Sequence, residues 1–148
     1  VRDMDIFTVL KEDHREAKDL FQKILKESEI DVRKLEKLCL MLTTHMELEE
    51  KLFYPRLEKN RETASLMKEA YTEHSEAKKL IRELEKEKFK DPELKNKTKT
   101  LKTAIEHHVD EEESEVFPKA KKVLTKEETV SIAKEFTEMK EKRLAKSK

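Results

Sequence analysis

The sequence predicts an all-α protein: an up-down-up-down four-helix bundle with an additional helix at the C-terminus. Three observations predict it. The 148 residues include no glycine, and 46% of them are charged, mostly Lys and Glu. That is the composition of long solvated helices, not of strands and tight turns. Apolar residues recur at alternating intervals of three and four along four long stretches, the period of a helix with one buried face. Finally, His45-Met-Glu-Leu-Glu49-Glu50-Lys-Leu-Phe53-Tyr54-Pro55 recurs as His108-Val-Asp-Glu-Glu112-Glu113-Ser-Glu-Val116-Phe117-Pro118. Each copy follows a weaker matched pair, His14-Arg-Glu-Ala-Lys-Asp-Leu-Phe21 and His74-Ser-Glu-Ala-Lys-Lys-Leu-Ile81. One two-helix unit is therefore present twice.

The elements follow in order. The first helix is expected from about Asp3 to Ser28, with Phe7, Leu10, His14, Ala17, Phe21 and Ile24 on one face. Asp31 reads as the N-cap of the second, whose face is Leu35, Leu38, Leu42, His45, Glu49 and Leu52. Pro55 lacks a backbone N–H and should kink or end this helix, with the chain turning near Asn60. The third helix carries Met67, Ala70, His74, Ala77, Ile81 and Leu84 in register. Asp91-Pro92-Glu93 combines an N-cap, a proline and an acid at the positive end of the dipole, a start signal for the fourth. That helix carries Leu94, Leu101, Ile105, His108 and Glu112 up to Pro118.

Residues 1–124 thus form the bundle, and 125–148 a separate amphipathic helix. Thr125-Lys-Glu-Glu128 is a capping box that opens it. Its stripe of Val130, Ala133, Phe136 and Met139 is expected to pack on the bundle or on a second copy, which would give a homodimer.

Each bundle helix places one histidine on its apolar stripe, and His14, His45, His74 and His108 lie at similar distances from the intervening turns. At roughly 1.5 Å per residue, they reach nearly one level of the bundle. Glu49 and Glu112, four residues after His45 and His108, share that layer. Burying two carboxylates and four imidazoles without partners would cost many kcal/mol, and metal ions remove that cost. Nitrogen and oxygen donors without thiolate suit iron, manganese or zinc, and six side chains exceed the needs of one tetrahedral zinc. They suit two ions with bridging carboxylates, with oxide, hydroxide or water completing each shell.

His107-x-x-x-Glu111 overlaps the second motif. The equal intervals His45–Pro55 and His108–Pro118, and the apolar neighbours of His108, select His108 and leave His107 at the surface or behind the ligands. Tyr71, three before His74, faces the core as packing, as a donor to a ligand, or as a ligand itself. Cys39 is the only cysteine, so no disulfide framework or thiolate site is expected, and it reads as a buried, inert thiol.

Thirty-four basic residues balance 34 acidic ones, which gives no electrostatic case for nucleic acid or an anionic membrane. No apolar run approaches the roughly 20 residues of a membrane span. The N-terminus shows neither region of a signal peptide, and the cytoplasm is the expected location.

With His14, His45-x-x-x-Glu49, His74 and His108-x-x-x-Glu112, the chain resembles the hemerythrin-like, or HHE cation-binding, family over about residues 3–122. The resemblance implies a non-haem di-iron centre in a four-helix bundle. His14 and His45 would be terminal ligands of one iron, His74 and His108 of the other, and Glu49 and Glu112 the bridges. Oxygen-carrying hemerythrins have a fifth histidine on the third-helix face; here the matching positions are Ala70 and Lys78. The difference implies an additional open position near His74. It favours reaction with dioxygen, peroxide or nitric oxide over reversible oxygen carriage. A non-enzymatic iron or oxygen sensor is the alternative.

Overall fold

The computed structural model describes residues 4–90 and 92–146, and among them every regular element is helical, with no strand. The elements are α1 (Ile6–Lys26), α2 (Val32–Leu48), a π-helical turn π1 (Glu49–Phe53), α3 (Tyr54–Glu58), α4 (Ala64–Lys86), α5 (Leu94–Glu111), a second π turn π2 (Glu112–Val116), α6 (Phe117–Val123) and α7 (Lys126–Ala145). The long helices α1, α2, α4 and α5 close a ring, each packed on its neighbours in that order, and α5 returns to α1.

Caps are placed largely as the sequence indicates. Asp5 accepts from the backbone N–H of Thr8 at 2.9 Å, and Asp31 from that of Lys34 at 3.3 Å. At the start of α7, the Thr125 hydroxyl accepts from the Glu128 N–H while the Glu128 carboxylate accepts from the Thr125 N–H. The expected cap at Asp91 lies outside the described residues; Leu94 is the first residue of α5. With no glycine available, α4 is terminated by Lys88 and Phe89 at positive φ, 52° and 57°. The Phe89 N–H returns to the carbonyl of Leu84 at 3.0 Å, which satisfies one exposed end group of that helix.

The prolines behave differently from a simple kink or stop. Pro55 and Pro118 each stand just after a π turn, at the head of α3 and α6, and the helix continues through them. A proline has no N–H to give and its ring crowds the carbonyl four residues back. The wider turn absorbs both defects. It also begins at Glu49 in one copy and Glu112 in the other, so both metal-motif carboxylates stand where the helix changes pitch.

The core is divided by the polar layer. One lobe contains Ile6, Phe7, Leu10, Phe53, Tyr54, Leu57, Phe117 and Phe136; the other contains Ala17, Phe21, Ile24, Leu35, Leu38, Ile81 and Leu101. His14 lies between the two lobes along α1, and His45 with Glu49 along α2 and π1. Helix α7 lies across α1, α2 and π1. Its buried residues are Thr129, Ile132, Ala133 and Phe136, while Val130 and Met139 are half-buried, so the inward face is rotated from the expected stripe. Ile132 reaches the core because α7 lies in the groove between two helices, which admits a wider face than one stripe. Cys39 is buried, and burial pushes its thiol up to about 12, which keeps it inert. No described helix is long and apolar enough to cross a membrane.

Candidate metal centre

The layer between the lobes brings together all six residues singled out by the repeat. Donor atoms of His14, His45, Glu49 and Glu112 lie within 4.8 Å of one another, as do those of Glu49, His74, His108 and Glu112. The two carboxylates belong to both groups. Glu49 Oε1 is 3.3 Å from His45 Nε2 and 3.1 Å from His74 Nε2. Glu112 Oε1 is 3.1 Å from His14 Nε2, and its Oε2 is 3.4 Å from His108 Nε2. Each glutamate therefore spans the halves, and both are 0% exposed.

These close approaches are not hydrogen bonds. His14 Nε2, His45 Nε2, Glu49 Oε2 and Glu112 Oε1 are buried without a hydrogen-bond partner. Buried polar atoms are normally paired, and orphaned ones are costly. These four orphaned atoms lie together in the layer, as the ligands of a cation would. The nitrogen and oxygen donor set fits a first-row transition metal.

Behind every imidazole stands a carboxylate. His14 Nδ1 is 2.7 Å from Glu113, His45 Nδ1 2.8 Å from Asp13, His74 Nδ1 2.7 Å from Glu50, and His108 Nδ1 2.7 Å from Glu73. With Nδ1 donating outward, each Nε2 lone pair is fixed toward the centre. Asp13 and Glu73 precede the upstream histidines, and Glu50 and Glu113 follow the bridging glutamates, so all four obey the duplication. Sequence reasoning passed over them as helper groups, although the repeat contained the signal.

Two lysines hold this outer ring. Lys140 Nζ on α7 is 2.5 Å from Asp13 Oδ1, and Lys78 Nζ is 2.8 Å from Glu50 Oε2. Burial disfavours the Asp13 carboxylate, but His45 and then Lys140 outweigh it and hold it below its ordinary value. The Glu50 carboxylate is likewise half-buried yet lowered by His74 and Lys78. Burial also opposes charge on His45, yet Glu49 and Asp13 lift it from 6.5 to about 10; Glu112, Glu73 and Glu49 lift His108 in the same direction.

Tyr54 is the residue that sequence reasoning missed. It is 0% exposed, and its hydroxyl lies 3.3 Å from His74 Nε2, 3.2 Å from His108 Nε2 and 3.3 Å from Glu49 Oε1, with a short hydrogen bond to Glu112 Oε2. It stands among the four donors of one half. Burial, Glu112 and Glu49 all push its phenol well above the ordinary value, so the proton stays on oxygen unless a cation displaces it. The hydroxyl thus lies beside His74 Nε2, where an open position is expected from the sequence. Tyr71 is not the donor, since its hydroxyl bonds to Glu58 and its ring stands edge-on to Tyr54 at 5.5 Å. The signal was the aromatic before each proline, Tyr54 in one copy and Phe117 in the other.

His107 is at the surface, its side chain 70% exposed, with Nε2 3.3 Å from Glu73 Oε2 and 3.7 Å from Glu111 Oε2.

The profile of the hemerythrin HHE cation binding domain matches residues 5–120. The chain belongs to the hemerythrin HHE family. A hemerythrin HHE cation binding domain-containing protein of known structure from Mycobacterium kansasii superposes with a TM-score of 0.80 at 26% identity, covering 95% of this chain and 87% of that one. A DNA nickase of Nostoc sp. is 30% identical over 145 residues, 95% of this chain; the HHE chain spans 40% of that protein's length. In a chain of this family, the buried His and Glu cluster is the group of residues that could hold a metal.

Proposed function

We propose that His14, His45, Glu49, His74, His108 and Glu112 hold two iron ions, and that the protein reacts with a small oxidant: dioxygen, peroxide or nitric oxide. The single observation that carries this reading is the convergence of six buried side chains, with four orphaned donor atoms, into two groups that share both glutamates. Manganese or zinc would accept the same donors, but iron would supply the electrons and Lewis acidity that such oxidants require.

In this reading Tyr54 is a further oxygen donor on the His74/His108 side. The repeat places Phe117 at the equivalent position, where its ring stacks on His14 with centroids 6.2 Å apart and planes 6° apart. Tyr54 stacks on His74 in the same manner, with centroids 5.2 Å apart. The aromatic residues differ by one hydroxyl, so one half receives an oxygen donor that the other lacks. A small cavity lined by Ala17, Met41, Leu42, Met46 and Ile105 reaches both His14 and His45 of that other half, and its lining extends to His108. Its apolar wall suits a small uncharged molecule. Asp13 and Lys140 also line this cavity, while the four outer carboxylates hold the imidazoles in place.

Exchanging the two aromatics tests the reading. In iron-loaded protein, Phe117→Tyr should slow peroxide consumption and weaken azide binding by about 10-fold or more, because it fills the free side. Tyr54→Phe should leave azide binding at least as strong and abolish visible absorption from phenolate. If Phe117→Tyr binds azide and consumes peroxide like the native protein, the exogenous ligand does not use this side. Iron-loaded native protein inert to all three oxidants would favour the sensor alternative.

A further inference from the structure

The duplication makes Asp13 and Glu73 equivalent residues, each supporting a histidine on the next helix through one carboxylate oxygen. Their other oxygens meet different surroundings. Asp13 Oδ1 faces the ammonium of Lys140, 2.5 Å away on α7. Helix α7 packs on α1 and α2, and the duplicated unit supplies no counterpart for the other half. Glu73 Oε2 faces the His107 imidazole at 3.3 Å, and Glu111 Oε2 is 3.7 Å from the same nitrogen. Where one half has a fixed cation, the other has an imidazole and a second carboxylate.

The three side chains offer donor atoms within 4.8 Å of one another. A separate observation also points to a ligand. Glu111 Oε2 is shut off from solvent and has no hydrogen-bond partner, although its residue lies at the protein surface. A small cavity of about 10 Å³ is lined by Glu69, Glu73 and Glu111 together with His108 and Glu112 of the buried layer.

We propose that Glu73, His107 and Glu111 form a peripheral site for a divalent first-row transition cation on the route into the buried centre. One imidazole nitrogen and carboxylate oxygens suit such an ion, with water completing its shell at the exposed side. Glu73 is the shared element: one oxygen holds the His108 imidazole and the other serves the peripheral ion. A cation bound here stands one carboxylate away from the buried donors. The second His-x-x-x-Glu, His107 to Glu111, thus repeats the inner motif one residue out of phase, on the outer face of the same helix.

Two measurements test the proposal on the full chain. First, iron-loaded protein is titrated with Mn2+, and the electron paramagnetic resonance of free Mn2+ is followed. The native protein should bind one Mn2+ saturably, and His107→Ala and Glu111→Gln should each weaken that binding by about 10-fold or more without loss of iron. Second, metal-stripped protein is mixed anaerobically with Fe2+, and both variants should load more slowly to the same final content. No saturable Mn2+ site in the native protein, unchanged affinity in both variants, unchanged loading rates, or loss of iron from His107→Ala would each overturn it. Iron content reads the buried centre and Mn2+ binding reads the peripheral site, so either reading can fail without the other.

Discussion

The duplicated motif gives each half of the centre the same histidines and glutamates, and Tyr54 breaks the equality with one oxygen. Tyr54→Phe keeps the ring that packs against Phe53 and Tyr71 and removes only the hydroxyl. It should therefore fold normally and bind the second iron more weakly, by about 10- to 100-fold, which equilibrium dialysis would read. Asp13→Asn tests the outer ring: an amide oxygen still accepts from His45 but carries no charge, so iron affinity should fall by a similar factor. An unchanged affinity would reduce Asp13 to a partner of Lys140. The six central residues were legible in the sequence because duplication and helical period both marked them. Tyr54 was not, because the straight helix expected up to Pro55 does not aim residue 54 at the layer; the π turn does.

That π turn was not legible in the sequence. A proline predicts disruption of the helical ladder, but not whether the chain stops, bends or widens, which depends on what the next turn packs against. Here Leu57 and Ala120, both fully buried, keep the chain in the bundle beyond the prolines. The α7 helix was legible from its capping box, though not its inward face. Phe136 packs edge-on to His45 at 5.8 Å, and Lys140 reaches Asp13, so α7 braces one side of the centre. Phe136→Ala should lower stability by about 3–5 kcal/mol, as for other buried aromatics, measured by urea denaturation of the iron-loaded protein. Removal of residues after Leu124 should lower iron retention as well as stability. Full retention of both would mean that α7 is an appendage.

For the whole molecule, the polar layer links metal, protons and folding. Without metal, burial opposes a proton on His45, but Glu49 and Asp13 more than compensate and lift it from 6.5 to about 10. A raised pKa contributes stability that is fully present below 6.5 and lost as pH rises through about 10. Metal-stripped protein should therefore melt at lower temperature as pH is raised across that window. Iron-loaded protein should not show this loss, because the ligands are neutral imidazoles already held by metal. For the same reason, loading at neutral pH should release protons, measurable with a pH indicator in weak buffer. A melting temperature of the stripped protein that is constant across the window would show that His45 carries no proton there. The bundle itself was legible at this scale because the layer requires four helices to meet at one depth, and the histidine positions supplied that depth.

If six side chains hold two ions between them, metal stoichiometry reads the number outright. Iron per chain should be measured by mass spectrometry against quantitative amino-acid analysis, after passage over a chelating resin to remove loosely held metal. The native protein should retain two irons per chain, and the Glu49→Gln, Glu112→Gln double variant, which lacks both shared carboxylates, one or none. One iron in the native protein, or two retained by the double variant, would mean that the shared glutamates do not hold a pair of ions.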